Sequence, residues 1–327
     1  MKGRQESLLS RRSVRRLIRR QANGNTQITA DEDKISEFIK THPIDKVQVP
    51  TINKTIRNKD KTDLKVALCA MAKMENRYLR EWVEYHLSIG FDHIFIYDNN
   101  DKNAEHCEDC LTPELLDSVT IIDYRGKIQG DCKIQVLAYQ DCYNKLCKGY
   151  DWVSFLDIDE FMTFTQHADV KDYLADPVFR KFDSIRISWL CYDDNDHLKY
   201  EDKPVVERFT RPCSDNKVNE HYKSFFRTNI SNLRFPNVHY STEISEMCNN
   251  CGKKIKWNKS TKLFPVTYEW AFIRHYCTKS LEEYITIKKK RRNKGSSERR
   301  LSQEFFWKYN SKTKEKVELM NKLWKTL

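Results

Sequence analysis

A mixed α/β fold around a mostly parallel sheet is predicted by three features of the 327-residue chain. Short apolar runs of strand length recur through its first half. Amphipathic helical stretches separate them, and two of the runs end directly in acidic loops. Alternation of this kind is how parallel strands are connected, because each crossover needs room for a helix.

The elements follow in order. Val66–Ala72 is a continuous apolar run, as expected of a strand buried on both faces. A helix is predicted from about Glu75 to Ile89, with Tyr78, Leu79, Trp82, Val83, His86 and Ile89 on one face and Gly90 as its stop. Ile94–Tyr97 is a second buried strand, running into Asp98-Asn99-Asn100-Asp101, and Val119–Ile122 is a third. A helix over about Lys133–Cys147 leads to a fourth strand, Trp152–Leu156, which ends in Asp157-Ile158-Asp159-Glu160. Ligands of open parallel sheets bind beyond the C-terminal strand ends, where these acidic loops fall. After residue 180 the pattern turns strand-like, at 184–192, 204–211, 222–227 and 264–274, predicting an antiparallel extension. Helical sequence resumes at 280–291 and about 301–325. Residues 1–64 form a basic arm and linker, 65–292 the main domain, and 293–327 a helical tail.

Charge is uneven. Residues 1–65 hold 16 Lys/Arg against 8 Asp/Glu, most of the net +11, and a second basic run spans 288–294. Within the arm, Ser7–Gln21 has the pattern of a short basic amphipathic helix suited to an anionic membrane surface, or of a disordered arm. No apolar run reaches the ~20 residues of a spanning helix, and the N-terminus lacks the apolar stretch of a secretion signal. The expected location is therefore cytoplasmic, with peripheral contact at the inner membrane face. No nucleic-acid motif accompanies the charge, so nucleic acid is not an expected partner. Eleven cysteines without a secretion signal argue against a disulfide framework. Cys107/Cys110 and Cys248/Cys251 could form a structural Zn2+ site, although they lie much further apart in sequence than the usual ~15–20 residues.

The strongest local signal is Asp157-Ile158-Asp159 behind a buried strand. Alternate carboxylates at a sheet edge offer hard oxygen ligands for Mg2+ or Mn2+ bridging a diphosphate. Such an ion would act as a Lewis acid and neutralise the leaving group.

Several ordered blocks resemble glycosyltransferase family 92 and its bacterial family 2-like relatives. They are Asn76–Leu87, Gly90-Phe91-Asp92-His93, Tyr97-Asp98-Asn99-Asn100 and Trp152–Phe161. Val206–Thr210, Tyr222-Lys223-Ser224, Asn237-Val238-His239 and Arg274-His275-Tyr276 follow in order. The resemblance spans about residues 66–292 and implies a GT-A fold. It also implies transfer of a hexose from a nucleotide-sugar donor, most simply UDP-linked, to a glycan or lipid-linked polysaccharide precursor. Asp98 then resembles the nucleoside-binding acid, with Asn99 beside it. Asp157 would lie near ribose and metal, Asp159 would be the main metal ligand, and His275, or alternatively His239, would complete the coordination.

The loop Asp98–Asn103 departs from the Ser-Thr-Asp of relatives, and Trp189–His197 stands where many carry a small Gly/Ser-rich acceptor loop. Inverting transfer needs a general base. Asp194 or Asp193 is expected to supply it, with Glu207 the alternative. Lys223 and the 288–294 run are candidates for contact with diphosphate or a lipid phosphate. A nucleotidyltransferase is disfavoured because Ala67–Asn76 holds no glycine to cradle phosphate. A non-catalytic scaffold with basic ends is the rival from another class.

Overall fold

A computed structural model of the chain describes residues 51–56, 63–127, 133–213, 216–256, 262–263, 265–288 and 302–325. The expected amphipathic segment at 7–21 and the basic residues 289–294 lie outside the described residues. All described residues belong to one compact unit, Gln48–Leu327.

Among the described residues nine strands form the sheet: β1 (Val66–Ala72), β2 (His93–Asp98), β3 (Val119–Asp123), β4 (Trp152–Phe155), β5 (Glu160–Phe164), β6 (Ser184–Cys191), β7 (Tyr222–Arg227), β8 (Met247–Asn249) and β9 (Ala271–His275). Their order is β3-β2-β1-β4-β7-β6-β9-β5, with β8 paired to β6. The first four run parallel, as their unbroken apolar sequences predict. Beyond β4 the sheet is mixed: β7 is antiparallel to β4 and β6, β9 is parallel to β6, and β5 is antiparallel to β9. The second half is thus less uniform than the antiparallel extension expected.

Eight helices connect and cover the sheet among the described residues: α1 (Asn76–Ser88), α2 (Pro113–Leu116), α3 (Lys133–Asp141), α4 (Val170–Leu174), α5 (Val205–Arg208), α6 (Leu281–Glu283), α7 (Gln303–Tyr309) and α8 (Lys314–Lys325). Helix α1 buries Tyr78, Leu79, Trp82, Val83 and His86, the predicted face. It grips β5, since Trp82 Nε1 donates to the Glu160 carbonyl at 2.8 Å and His86 Nε2 accepts from Met162 N at 3.3 Å. Gly90, at φ +97, turns the chain out of the helix in a conformation that suits glycine. Helix α3 buries Ala138 and Tyr139, and the following Cys142 joins them, against Phe155, Phe226 and Phe235.

Three elements differ from expectation. Residues 204–211 form the helical turn α5 rather than a strand, with Pro204 at its N-cap and Glu81 accepting from Val205 N at 2.9 Å. Strand β5 follows the acidic loop directly. Residues 301–325 divide into α7 and α8, whose Phe306 and Met320 pack with Leu281, Tyr284 and Ile285 in one core cluster.

Candidate functional site

The acidic loop is set by the strands that flank it. The Leu156 N–H bonds the Cys69 carbonyl at 3.1 Å, carrying the chain past the end of β4. A turn then closes with Glu160 N on the Asp157 carbonyl at 3.0 Å. Glu160 begins β5 opposite His275 on β9, and Tyr276 N donates to the Asp159 carbonyl at 2.9 Å. Directly paired residues share a sheet face. Glu160 and His275 therefore lie on the same face, and the β6–β7 register places Lys223 with Ile187.

Four charged groups interlock here. Lys223 Nζ stands 3.1 Å from Asp157 Oδ2 and 3.5 Å from Glu160 Oε2. Lys288 Nζ lies 2.6 Å from Asp159 Oδ2, and His275 Nε2 is 3.6 Å from Asp159 Oδ1. The remaining Asp157 oxygen accepts from Gln135 Nε2 at 2.5 Å. Burial alone would raise both aspartates. Lys223 outweighs it at Asp157, and Lys288 with His275 holds Asp159 well below the ordinary carboxylate range. Glu160 goes the other way: burial pushes its carboxyl well up, Lys223 offsets part of that, and the two aspartates reinforce it. The cluster thus sets Asp157 and Asp159 against two ammonium groups, while burial and the two aspartates raise the Glu160 carboxyl beside them.

His275 is held by burial in its neutral form, although Asp159 pulls the other way. Its Nδ1 faces Cys191 Sγ at 3.8 Å, leaving Nε2 toward Asp159. An imidazole and a carboxylate 3.6 Å apart are donors of the kind that would hold a small divalent cation. His239 does not join them. Its Nδ1–H donates to the Tyr222 carbonyl at 3.0 Å, and its ring packs against Trp189 and His221. Among the described residues no three His, Cys, Asp or Glu side chains converge on one metal position, so Asp157, Asp159 and a histidine are not gathered as one three-ligand set.

Asp98 and Asn99 occupy the same edge, two strands from Asp157 and about 10 Å away at ~4.8 Å per strand. The Asp98 carboxylate receives Asn100 N and Cys107 N, each at 2.9 Å. Asn99 donates to the Tyr124 and Lys127 carbonyls, while its buried Oδ1 takes no hydrogen bond.

The carboxylates expected to act as base lie in other surroundings. Asp194 is 0% exposed, and its Oδ1 accepts from Lys316 Nζ of α8 at 2.8 Å. Asp193 pairs with Arg211 at 2.6 Å, and Glu207 is exposed on α5. The zinc expectation is corrected. Cys107 and Cys110 follow β2, whereas Cys248 lies on β8, five strand steps away or about 24 Å. No tetrahedral site can span that distance, and all four thiols are free.

Three contributors escaped the sequence reading: Gln135, the buried Glu160 carboxyl, and Lys279. Gln135 and Glu160 carry no signal short of the fold. Lys279 follows His275 by four residues, a spacing that only the position of His275 makes meaningful.

The sequence model of Glycosyltransferase family 92 matches residues 63–317. The chain belongs to glycosyltransferase family 92. A family 92 protein of Oryza sativa subsp. japonica is 25% identical over 243 residues, covering 71% of this chain and 40% of that one. Family 92 proteins of Ricinus communis and Arabidopsis thaliana are 31% and 32% identical, over 33% and 34% of this chain. The chain spans 40% of the rice relative and under a fifth of the other two. Among solved structures, an active-site mutant of LgtC superposes with a TM-score of 0.31 at 11% identity, over 64% of this chain and 87% of that one. The family 92 match extends past residue 292 to take in α7 and the start of α8. No helix among the described residues is long and apolar enough to cross a membrane.

Proposed function

We propose that this family 92 chain transfers a hexose, with inversion, from a UDP-linked donor to a hydroxyl of a glycan or lipid-linked saccharide. The observation that carries the reading is the meeting of Asp157, Asp159, His275, Lys223 and Lys288 at the edge where the parallel strands end. Asp159 and His275 would hold a Mn2+ or Mg2+ ion, which would supply charge neutralisation for the leaving diphosphate. Lys223 fixes the orientation of Asp157 and keeps it ionised. Gln135 presses on the same carboxylate, so its two oxygens are held in one plane rather than free to rotate. Asp98 and Asn99 shape the neighbouring loop on which the nucleoside would rest. Asp193 and Glu207 are the candidates for the base that inversion requires, and Asp194 is assigned to the scaffold. Peripheral attachment through the basic N-terminal arm belongs to the same proposal, and loss of liposome binding on deleting residues 1–64 would support it.

The test is thermal stability with UDP or GDP, each with Mn2+ or EDTA, in the wild type and Asp159→Ala. Ligand at ~100 Kd adds about 2.7 kcal/mol to the native state. Stabilisation by UDP that needs both the metal and Asp159 supports the proposal. Stabilisation by GDP alone changes the donor, and no shift with either nucleotide moves the scaffold reading ahead.

A further inference from the structure

Lys279 is a buried cation with no counter-charge in contact among the described residues. It is 7% exposed, and no carboxylate among the described residues lies within ion-pair distance of its ammonium. Instead the ammonium sits over the Tyr78 ring, 4.2 Å from the centroid. Burial drives its pKa down, with Asp159, Lys288 and Glu283 near enough for their charges to act on it. An uncompensated ammonium is costly to bury, and a surface lysine would extend its stem to reach water.

The backbone supports the same view. Lys279 has φ +55, the left-handed region that a residue with a Cβ seldom adopts. That geometry is enforced from the next residues onward. Ser280 caps α6, its Oγ donating to Glu283 Oε2 at 2.5 Å, and Glu283 forms a two-pronged, fully buried pair with Arg208 at 2.8 and 3.1 Å. Tyr78 OH donates to the other Glu283 oxygen at 2.8 Å, so the ring beneath the ammonium is locked by the same carboxylate. Four residues before Lys279 stands His275, and Lys288 is already on Asp159. Tyr276 N is bound to the Asp159 carbonyl, so the segment carrying Lys279 leaves β9 beside the acidic loop, with Lys279 and Lys288 near enough for their charges to act on each other. A mobile anion with several oxygens would relieve their mutual repulsion and match both.

We propose that Lys279 receives the diphosphate of the donor, with Lys288 beside it and the Tyr78–Glu283–Arg208 network as its mount. The inference rests on the nucleotide-donor reading and names the group that would hold the leaving diphosphate.

The experiment is isothermal titration of the full chain with UDP, UMP and inorganic pyrophosphate, using wild type, Lys279→Met and Lys279→Arg. Methionine keeps the length and removes the charge. It should weaken UDP and pyrophosphate about tenfold or more and UMP much less, while arginine should stay within about threefold of wild type. If the wild type binds UDP and Lys279→Met binds it equally well, the assignment of Lys279 is overturned and the transferase reading stands. If the wild type binds none of UDP, GDP or pyrophosphate, the donor reading itself fails. Melting temperatures of the ligand-free proteins guard against a misfolded variant: a Lys279→Met protein that melts within about 2 °C of wild type and still binds pyrophosphate as tightly overturns the proposal.

Discussion

Replacing Lys316 by Met separates the two roles open to Asp194. Lys316 and Asp194 are 1% and 0% exposed, their charged atoms are 2.8 Å apart, and the second Asp194 oxygen is buried without a partner. Burial pushes the Asp194 carboxyl up, and Lys316 is the largest influence holding it down. Removing one partner of a buried pair leaves a charge that neither water nor protein compensates, at a cost of about 3–5 kcal/mol. For a domain of this size each kcal/mol moves the melting temperature by about 2–4 °C, so Lys316→Met should melt roughly 10 °C lower. The paired variant Asp194→Asn with Lys316→Met should recover much of the loss, because no charge is then stranded. Differential scanning fluorimetry reads all three proteins. A drop of under about 2 °C in Lys316→Met would refute the reasoning. An Asp194→Asn protein that melts like wild type but has lost turnover would return Asp194 to the role of base.

Three further outcomes are expected. His86 is fully buried with its pKa pushed down to about 3. It is therefore neutral in the fold and protonated in the unfolded chain below about pH 6.5. Acid then favours unfolding, by about 2 kcal/mol at pH 5, and His86→Gln should flatten the fall of the urea midpoint between about pH 6.5 and 5. Gly252 has φ +77, and an added Cβ would strike the Val178 side chain, so Gly252→Ala should lower stability by about 1–3 kcal/mol in urea unfolding. Phe306 is fully buried in the cluster joining α7 and α8 to Leu281 and Tyr284. Phe306→Ala should cost about 3–5 kcal/mol by chemical denaturation, and a cost below about 1 kcal/mol would mean these helices are not part of the core.

The parallel half of the sheet was legible because each strand is short, apolar and buried on both faces. Asp157 and Asp159 were legible for a related reason: an acidic pair directly after such a strand must emerge at the sheet edge. His275 stood out through the family blocks and not through any local pattern. Elsewhere a long-range partner decides the outcome, and the local sequence does not show it. Asp194 reads as an acceptor-side loop carboxylate, and only the fold brings Lys316, 122 residues later, onto it. Val205-Val206 looks like strand sequence, yet Pro204 and the distant Glu81 cap a helical turn there. The paired cysteines share a familiar spacing, but strand order places them on opposite parts of the sheet.

The Tyr78–Glu283 hydrogen bond also has a meaning for how the protein is made. Its two residues are 205 positions apart, and Arg208, bound to the same carboxylate, leaves the ribosome long before Glu283 does. Synthesis runs at ~5–20 residues per second, so Tyr78 waits on the order of ten seconds or more for its partner. During that interval the parallel strands can assemble, but Arg208 has no anion to meet and the His275–Lys279 segment has no mount. The nascent chain therefore assembles its parallel strands first, then the segment around Lys279, and closes with α7 and α8. A message truncated shortly before residue 283 should yield a partly folded chain that chaperones retain.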